Sequence, residues 1–305
     1  MVHITDANIN LDKNTIVTLG NFDGVHLGHQ KLIDVLKSPE YSDLKKVVFS
    51  FYPHPLKVIK NADIKTIFSR AEKHHLIKNM GIDVFVEYPF TLDFSILLPE
   101  EFVRNILVEK LKCKVLVIGD GYKFGKNKSG DALHLKDMGE KYGVEVIIVS
   151  HEMDSSEKIS SSTIRSFILD GEIEKANNLL SRKYFVEGTV VSGNKIGRTI
   201  GFPTLNIIPD SEKLLPPSGV YKTTTFHKDF DAKKSITNIG FKPTVGSLEK
   251  TIETHIFDFN KDLYGEIIKI EFEKFIRKEK KFANIEELKE QIKNDIEEAN
   301  REVFL

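Results

Sequence analysis

The chain has 305 residues, 40% hydrophobic and 29% charged, an ordinary balance for a globular protein of one large or two medium domains. Its 44 basic and 45 acidic side chains leave a formal net charge of −1, so no global field draws it to nucleic acid or to an anionic membrane. Cys113 is the single cysteine, which excludes an intrachain disulfide and suits a reducing cytoplasm. The opening MVHITDAN carries neither a basic nor an apolar leader pattern. No apolar run approaches the roughly 20 residues of a membrane span. A cytoplasmic protein with no membrane partner is expected.

Up to about residue 150, short apolar runs alternate with stretches of helical spacing. TIVTLG, KKVVFSFY, DVFVEYPF, KVLVIGD and VEVIIVS each read as a strand buried on both faces. Between them, SRAEKHHLIKNMG has the capping-box pair Ser69 and Glu72 and a stop at Gly81. Strand–helix alternation predicts an α/β domain with a five-stranded parallel sheet and helices on both faces. Residues 160–182 then read as two short helices broken at Gly171.

From about residue 184 the texture changes, and no further helix is expected until the end of the chain. FVEGTVVSG, TLNII, GVYKTTTF, KSITNIGF, TIETHIFDF and GEIIKIEFEKFI are strand-like and separated by Gly, Pro, Asn and Asp. They predict a small antiparallel barrel or sandwich. In NIEELKEQIKNDIEEANREVF, the residues Ile285, Leu288, Ile292, Ile296 and Ala299 form one apolar stripe. That is a terminal helix packed on the barrel. The domain boundary falls near Arg182–Phe185, giving domains 1–183 and 184–305.

Chemistry-bearing residues cluster where strands end. GNFDGVHLGHQKLI places His26 and His29 where the first strand becomes a helix, the place where α/β sheets bind anions. Gly24 permits a tight turn, and Gly28 permits close approach of a phosphate. Imidazoles at i and i+3 share one face and can both donate to developing phosphate charge. A metal reading of His-x-x-His would need a third ligand, such as His54, and incidental surface histidines are a further alternative. KISSSTIRSFI offers hydroxyls and Arg165 at a helix opening, either an anion cradle or an ordinary N-cap.

In the second half, Gly193, Gly197 and Gly201 recur between strands rather than before a helix, which is not a P-loop. Such glycines would let backbone amides wrap a phosphate tail. Thr204 and Asn206 alternate on one face and suit a hard cation such as Mg²⁺; a structural turn at GFP explains the same residues. Glu253 and His255 also share a strand face, as a base and its neighbour or as a solvated polar edge.

GNFDGVHLGH resembles the H-x-G-H signature of nucleotidyltransferases in its prokaryotic FAD synthetase form. SFYPHP, GDGYKFGKNKSGD and ISSSTIR follow in that family's order. GNKIGRTIGFPTLN, PPSGVY, NIGFKPT and ETHIFDFNKDLYG resemble the riboflavin kinase module usually fused to it. The chain is therefore similar, over nearly its whole length, to bifunctional riboflavin kinase/FMN adenylyltransferases. The resemblance implies a Rossmann-like nucleotidyltransferase domain followed by a kinase β-barrel, acting on riboflavin, FMN and ATP with Mg²⁺.

By motif, the resemblance gives His26, His29 and Arg165 to catalysis of adenylyl transfer, and Gly20, Phe22, Asp23, Gly24, Gly28, Ser161 and Ser162 to ATP. It gives His54, Asp120, Tyr122 and Phe124 to the flavin. In the barrel it gives Gly193, Gly197, Gly201, Thr204 and Asn206 to Mg-ATP, and makes Glu253 the kinase base. Gly121 departs from the pattern, because relatives commonly carry Asp or Asn there. Other classes remain: an adenylyltransferase with a silent flavin-binding barrel, or a non-enzymatic nucleotide-binding regulator. A nucleic-acid-binding barrel is disfavoured by the neutral charge.

Overall fold

The computed structural model describes residues 1–150, 153–154, 157–193, 196–244 and 247–301. The chain forms two compact units, Met1–Thr66 with Arg70–Ser161, and Ile67–Ser69 with Ser162–Leu305.

The first unit is built on a six-stranded parallel sheet of β1 (Val2–Ile4), β2 (Thr15–Leu19), β3 (Lys45–Tyr52), β4 (Val84–Pro89), β5 (Cys113–Gly119) and β6 (Glu145–Val149). Their order across the sheet is β1-β4-β3-β2-β5-β6. The five strands expected from the apolar runs are present, and β1 is a sixth. It is three residues long and mostly exposed, so it has no apolar run to betray it. Neighbouring β4 supplies its order through the Val2–Val84 and Ile4–Val86 pairs. The central strands are buried on both faces, whereas β6 at the other edge is only half-buried.

Helices cover both faces. On one side, α1 (Leu27–Leu36) and α2 (Arg70–Lys78) pack Leu32, Ile33 and Ile77 on Ile16, Val48, Phe85 and Val117. On the other, α3 (Phe102–Lys110) and α4 (Ala132–Tyr142) pack Phe102, Ile106 and Leu135 on Val17, Phe49 and Leu116. The end of α3 is closed by a wide i→i−5 bond from Leu111 N to Ile106 O.

The second unit opens with α5 (Ser161–Asp170) and α6 (Ile173–Leu180), separated at Gly171, whose φ of 79° suits only glycine well. Six strands then close a barrel in the order β7-β8-β11-β10-β9-β12. They are β7 (Tyr184–Val191), β8 (Leu205–Pro209), β9 (Gly219–His227), β10 (Phe230–Thr244), β11 (Ser247–Ile256) and β12 (Ile267–Arg277). Every pairing is antiparallel, and closure leaves no open edge. The interior mixes apolar residues with buried hydroxyls that bond one another, such as Thr223 to Ser235 at 2.7 Å and Thr237 to Thr254 at 2.8 Å.

Two expectations need correction here. The glycine-rich segment is not free of helix: Ile196–Thr199 makes one turn, because Gly197 lets the chain fold back onto Phe202. In the terminal helix α7 (Ile285–Asn300), Ile292, Ile296 and Ala299 pack against Val220 and Ile236, but Ile285 is 52% exposed. It lies in the first turn, next to the Asn284 cap and short of the barrel wall.

Two ties hold the opening helices and a distant tripeptide in this unit. Buried Asn177 on α6 donates to Phe272 O at 2.9 Å and accepts from Tyr184 N at 2.6 Å. Phe68 stacks on Phe185 at 4.6 Å, with the buried Lys213 Nζ 4.4 Å from its ring. Asn177→Ala strands two buried backbone groups, at about 1–3 kcal/mol each. It should therefore lower the unfolding free energy by roughly 2–4 kcal/mol in urea melts. A change below about 0.5 kcal/mol, the scale of a neutral surface substitution, would show that water replaces the amide.

Candidate active sites

In the first unit the strand order reverses between β2 and β5, since β3 and β4 lie on one side of β2 and β6 lies beyond β5. Ligands of open α/β sheets bind at the carboxyl edge of such a switch point. A cavity of about 260 Å³ lies there, lined among others by Gly20, His26, His29, Gly121, Tyr122 and Ser161.

The loop from Gly20 to His26 is tightly held. The Asn21 carbonyl accepts from Ser50 Oγ, the Asp23 carbonyl from Ser161 Oγ and the Val25 carbonyl from Gln30 Nε2. Phe22, at φ 50°, and Val25, at φ 42°, occupy the left-handed region. Side chains there are strained by about 1–3 kcal/mol each, a cost the surrounding packing must offset. Both are fully buried, which supplies that packing. The loop therefore delivers His26 in one conformation, as the N-cap of α1.

His26 and His29 stack with ring centroids 3.7 Å apart. Among the described residues no group of three or more His, Cys, Asp or Glu is placed to hold a metal. Gly28 has a nearer reason than ligand approach: a Cβ there would come within 3.2 Å of the His26 ring.

The other flavin candidates divide. Tyr122 and Gly121 line the cavity, on a turn closed by Tyr122 N to Gly119 O at 3.0 Å. Asp120 on the same turn is exposed. Phe124 is turned into the core against Phe102. His54 caps the helix Pro55–Lys60 through Nδ1, and its Nε2 lies 3.3 Å from Asn21 Nδ2. Burial pushes the Tyr122 phenol well up, so it stays neutral. Ser162 and Arg165 lie on α5 in the second unit.

In the barrel, a cavity of about 290 Å³ has both polar and apolar side chains in its wall. Thr204, Glu253 and His255 are among its polar lining, and Val220, Ile236 and Ile292 among its apolar lining. Strand register makes Glu253 the direct partner of Asn206 on one side and of Asn238 on the other. His255 Nδ1 is 2.8 Å from Pro203 O, which fixes its ring. The glycines act by their missing side chains. A Cβ on Gly193 would fall 2.3 Å from Asn206 Nδ2, and one on Gly197 would fall 2.3 Å from Phe202 O. Gly201, at φ 90°, turns the chain toward Thr204.

Spacing does not single out one further pair on this cavity. Arg277 at the end of β12 meets Asp295 of α7 in a two-pronged bond, Nε to Oδ1 at 2.8 Å and Nη2 to Oδ2 at 2.7 Å. Asp295 is buried, and Gln291 Nε2 also reaches it, at 2.8 Å. The pair seats α7 as one wall of the cavity. The one sequence signal is a carboxylate lying between Ile292 and Ala299 in the apolar stripe.

The comparisons agree with this division. The FAD synthetase family model matches residues 8–163 and the riboflavin kinase family model matches residues 180–303. A Buchnera aphidicola protein named bifunctional riboflavin kinase/FMN adenylyltransferase is 40% identical over 296 residues, 94% of this chain and 93% of its own. The Bacillus subtilis protein of that name is 38% identical over 294 residues, covering 94% and 92%. A solved Streptococcus pneumoniae chain, titled a macrolide-efflux protein, is similar with a TM-score of 0.91 at 32% identity, over 99% of this chain and 100% of that one. Among the described residues of the present chain, no helix is long and apolar enough to cross a membrane.

Arg277→Ala leaves the Asp295 carboxylate buried without its fork, and breaking such a pair costs about 3–5 kcal/mol when fully buried. Because Arg277 is partly exposed, a loss of about 2–3 kcal/mol is expected in urea melts, with Arg277→Lys losing roughly half as much. Equal losses for the two variants would mean that the fork alone holds α7, and no loss for Arg277→Lys would mean that charge alone does.

Proposed function

The chain belongs to the bifunctional riboflavin kinase/FMN adenylyltransferase family, and from that premise we propose how its own side chains divide the two reactions. It phosphorylates riboflavin with ATP to give FMN, and joins FMN to the adenylyl group of a second ATP to give FAD and pyrophosphate. The observation that carries this is the presence of both family halves in one chain, each with a cavity of its own.

In the barrel, the apolar lining of the cavity takes the flavin ring system and the polar lining its ribityl tail. Glu253 accepts the proton of the terminal hydroxyl as that oxygen attacks the γ-phosphorus. The ATP γ-phosphoryl passes to riboflavin and ADP leaves. Backbone amides around Gly193, Gly197 and Gly201 cradle the phosphate tail. Thr204 and Asn206 are the residues that would hold Mg²⁺. They fit it: both offer hard neutral oxygens, and the bare backbone at Gly193 leaves room for the Asn206 amide. Such an ion, when bound, neutralises phosphate charge.

In the first unit, the FMN phosphate is already an anionic nucleophile and needs no general base. It attacks the α-phosphorus of ATP, and pyrophosphate leaves. The site must offset charge repulsion. His26 and His29 do so as stacked donors at the start of α1, where the helix N-terminus also favours anions. Gly20, Phe22, Asp23, Gly24 and Gly28 shape that loop, and Ser161 anchors it. Motif order assigns Ser162 and Arg165 to phosphate, and His54, Asp120, Tyr122 and Phe124 to the flavin side. The enzyme works in this reading on small molecules in a reducing cytoplasm, without nucleic acid.

We place the functional boundary near residue 183. The test is expression of residues 1–183 and 184–305 apart, the first making FAD from FMN and the second FMN from riboflavin. A barrel fragment that starts at 162 keeps the bonds of Asn177 to Phe272 and Tyr184, and should be the more stable of two active barrels. Inactivity of both barrel fragments, with the full chain active, would overturn the boundary.

A crossed pair of variants tests the residue roles in the full chain. His29→Ala should slow FAD formation roughly 10²-fold, the scale of one lost transition-state donor, and leave riboflavin phosphorylation intact. Glu253→Gln should do the reverse, slowing phosphorylation about 10²- to 10⁴-fold while ATP and flavin still bind. Loss of both activities in either variant, or of neither, would reject the assignment.

A further inference from the structure

Within the first unit, one carboxylate stands out from the sheet that carries it. Glu87 lies on β4 among Val84, Phe85, Val86 and Tyr88, all of them buried, and its own side chain is 0% exposed. Arg70 Nε donates to Oε2 at 2.8 Å, Lys73 Nζ lies 2.9 Å from Oε1, and His3 Nε2 lies 3.0 Å from Oε2. Burial raises the carboxyl pKa, but the charges and hydrogen bonds of Lys73 and Arg70 outweigh it, so the group sits below the usual glutamate value and is ionised at neutral pH.

A buried ion cluster is a weak source of stability, because apolar residues of similar size often serve as well. The far ends of these cations suggest what this one does. Lys73 Nζ also reaches Ser50 Oγ at 3.4 Å, and Ser50 Oγ donates to Asn21 O at 3.1 Å, on the loop that presents His26. Ser50 is the register partner of Glu87, so the two side chains leave adjacent strands at the same level. The Arg70 guanidinium lies 4.2 Å over the ring of Tyr52, which opens the Tyr52–His54 turn. The two loops meet where Asn21 Nδ2 lies 3.3 Å from His54 Nε2. One buried carboxylate thus orients a cation toward each loop.

We propose that Glu87 is a positioning residue for adenylyl transfer, holding Lys73 and Arg70 so that the Asn21–His26 and Tyr52–His54 segments keep their geometry. The inference rests on assigning the Gly20–His29 loop to that reaction. Glu87 touches no substrate. Its effect reaches the reacting atoms through Ser50, Asn21 and Tyr52. A displacement of about 1 Å at such a distance from the chemistry can cost about 10²-fold in rate.

The test uses the full chain, with riboflavin phosphorylation as an internal control. Glu87→Gln keeps the size of the side chain and removes its charge. FAD formation from FMN should lose 10- to 100-fold in kcat, with KM for ATP changed by less than about threefold and riboflavin phosphorylation unchanged. Glu87→Gln combined with Lys73→Met removes both charges of the Glu87–Lys73 pair, and should regain the melting temperature lost in the single variant without regaining kcat. Recovery of kcat together with stability would overturn the inference, making Glu87 a stability element only. Should Glu87→Gln fail to fold, Glu87→Asp keeps the charge but withdraws it by one methylene; it should melt near the wild-type temperature with reduced kcat, and an unaltered kcat would overturn the proposal. An unaltered Glu87→Gln enzyme beside a crippled His29→Ala enzyme also overturns it. If His29→Ala is unaltered too, the site assignment beneath the inference falls first.

Discussion

The pairing of β2 with β3 on one side and β5 on the other is the constraint on which the first unit depends. The chain passes from β2 to β3 on one side and from β5 to β6 on the other, so the loops after β2 and β5 diverge and leave a crevice between them. His26, His29, Gly121 and Tyr122 reach one cavity because they follow those two strands. The apolar residues of β2 are buried on both faces, and a slip of register would exchange the side chains packed into the two cores. Core packing and site geometry are in this sense one problem, solved once.

The barrel solves a different problem. A closed antiparallel sheet has no switch point, so its site is made where strand register and a flanking helix coincide. Asn206, Glu253 and Asn238 fall side by side on three adjacent strands. The wall that turns this polar row into a cavity is α7, held by the Arg277–Asp295 fork and by Ile292 and Ile296.

Much of this was legible in the sequence, and the physical reason is periodicity. β2 to β6 announce themselves as apolar runs because parallel strands are buried on both faces, and the barrel strands as alternation between turns. The motif glycines and histidines were legible as punctuation at strand ends. What was illegible depends on partners far along the chain. β1 has three residues and acquires order only from β4. The role of Gly28 depends on where the His26 ring folds, and that of Phe124 on Phe102 and on Gly130, where a Cβ would fall 2.4 Å from its ring. Asp295 and Arg277 are joined only by tertiary packing. A charged residue inside the apolar run DVFVEYPF was the one visible sign of Glu87.

Two glutamates on central strand positions show how environment, rather than residue type, decides a role. Glu87 is buried between α2 and the sheet, and its oxygens face Arg70, Lys73 and His3. A carboxylate held that way has no path to a substrate proton and is a poor base, because its cationic neighbours favour the ionised form. Glu253 is half-buried on a cavity wall, with Asn206 and Asn238 as its register partners. It can meet a hydroxyl that enters the cavity. The same residue type is thus closed off from solvent in one place and open to whatever enters a cavity in the other.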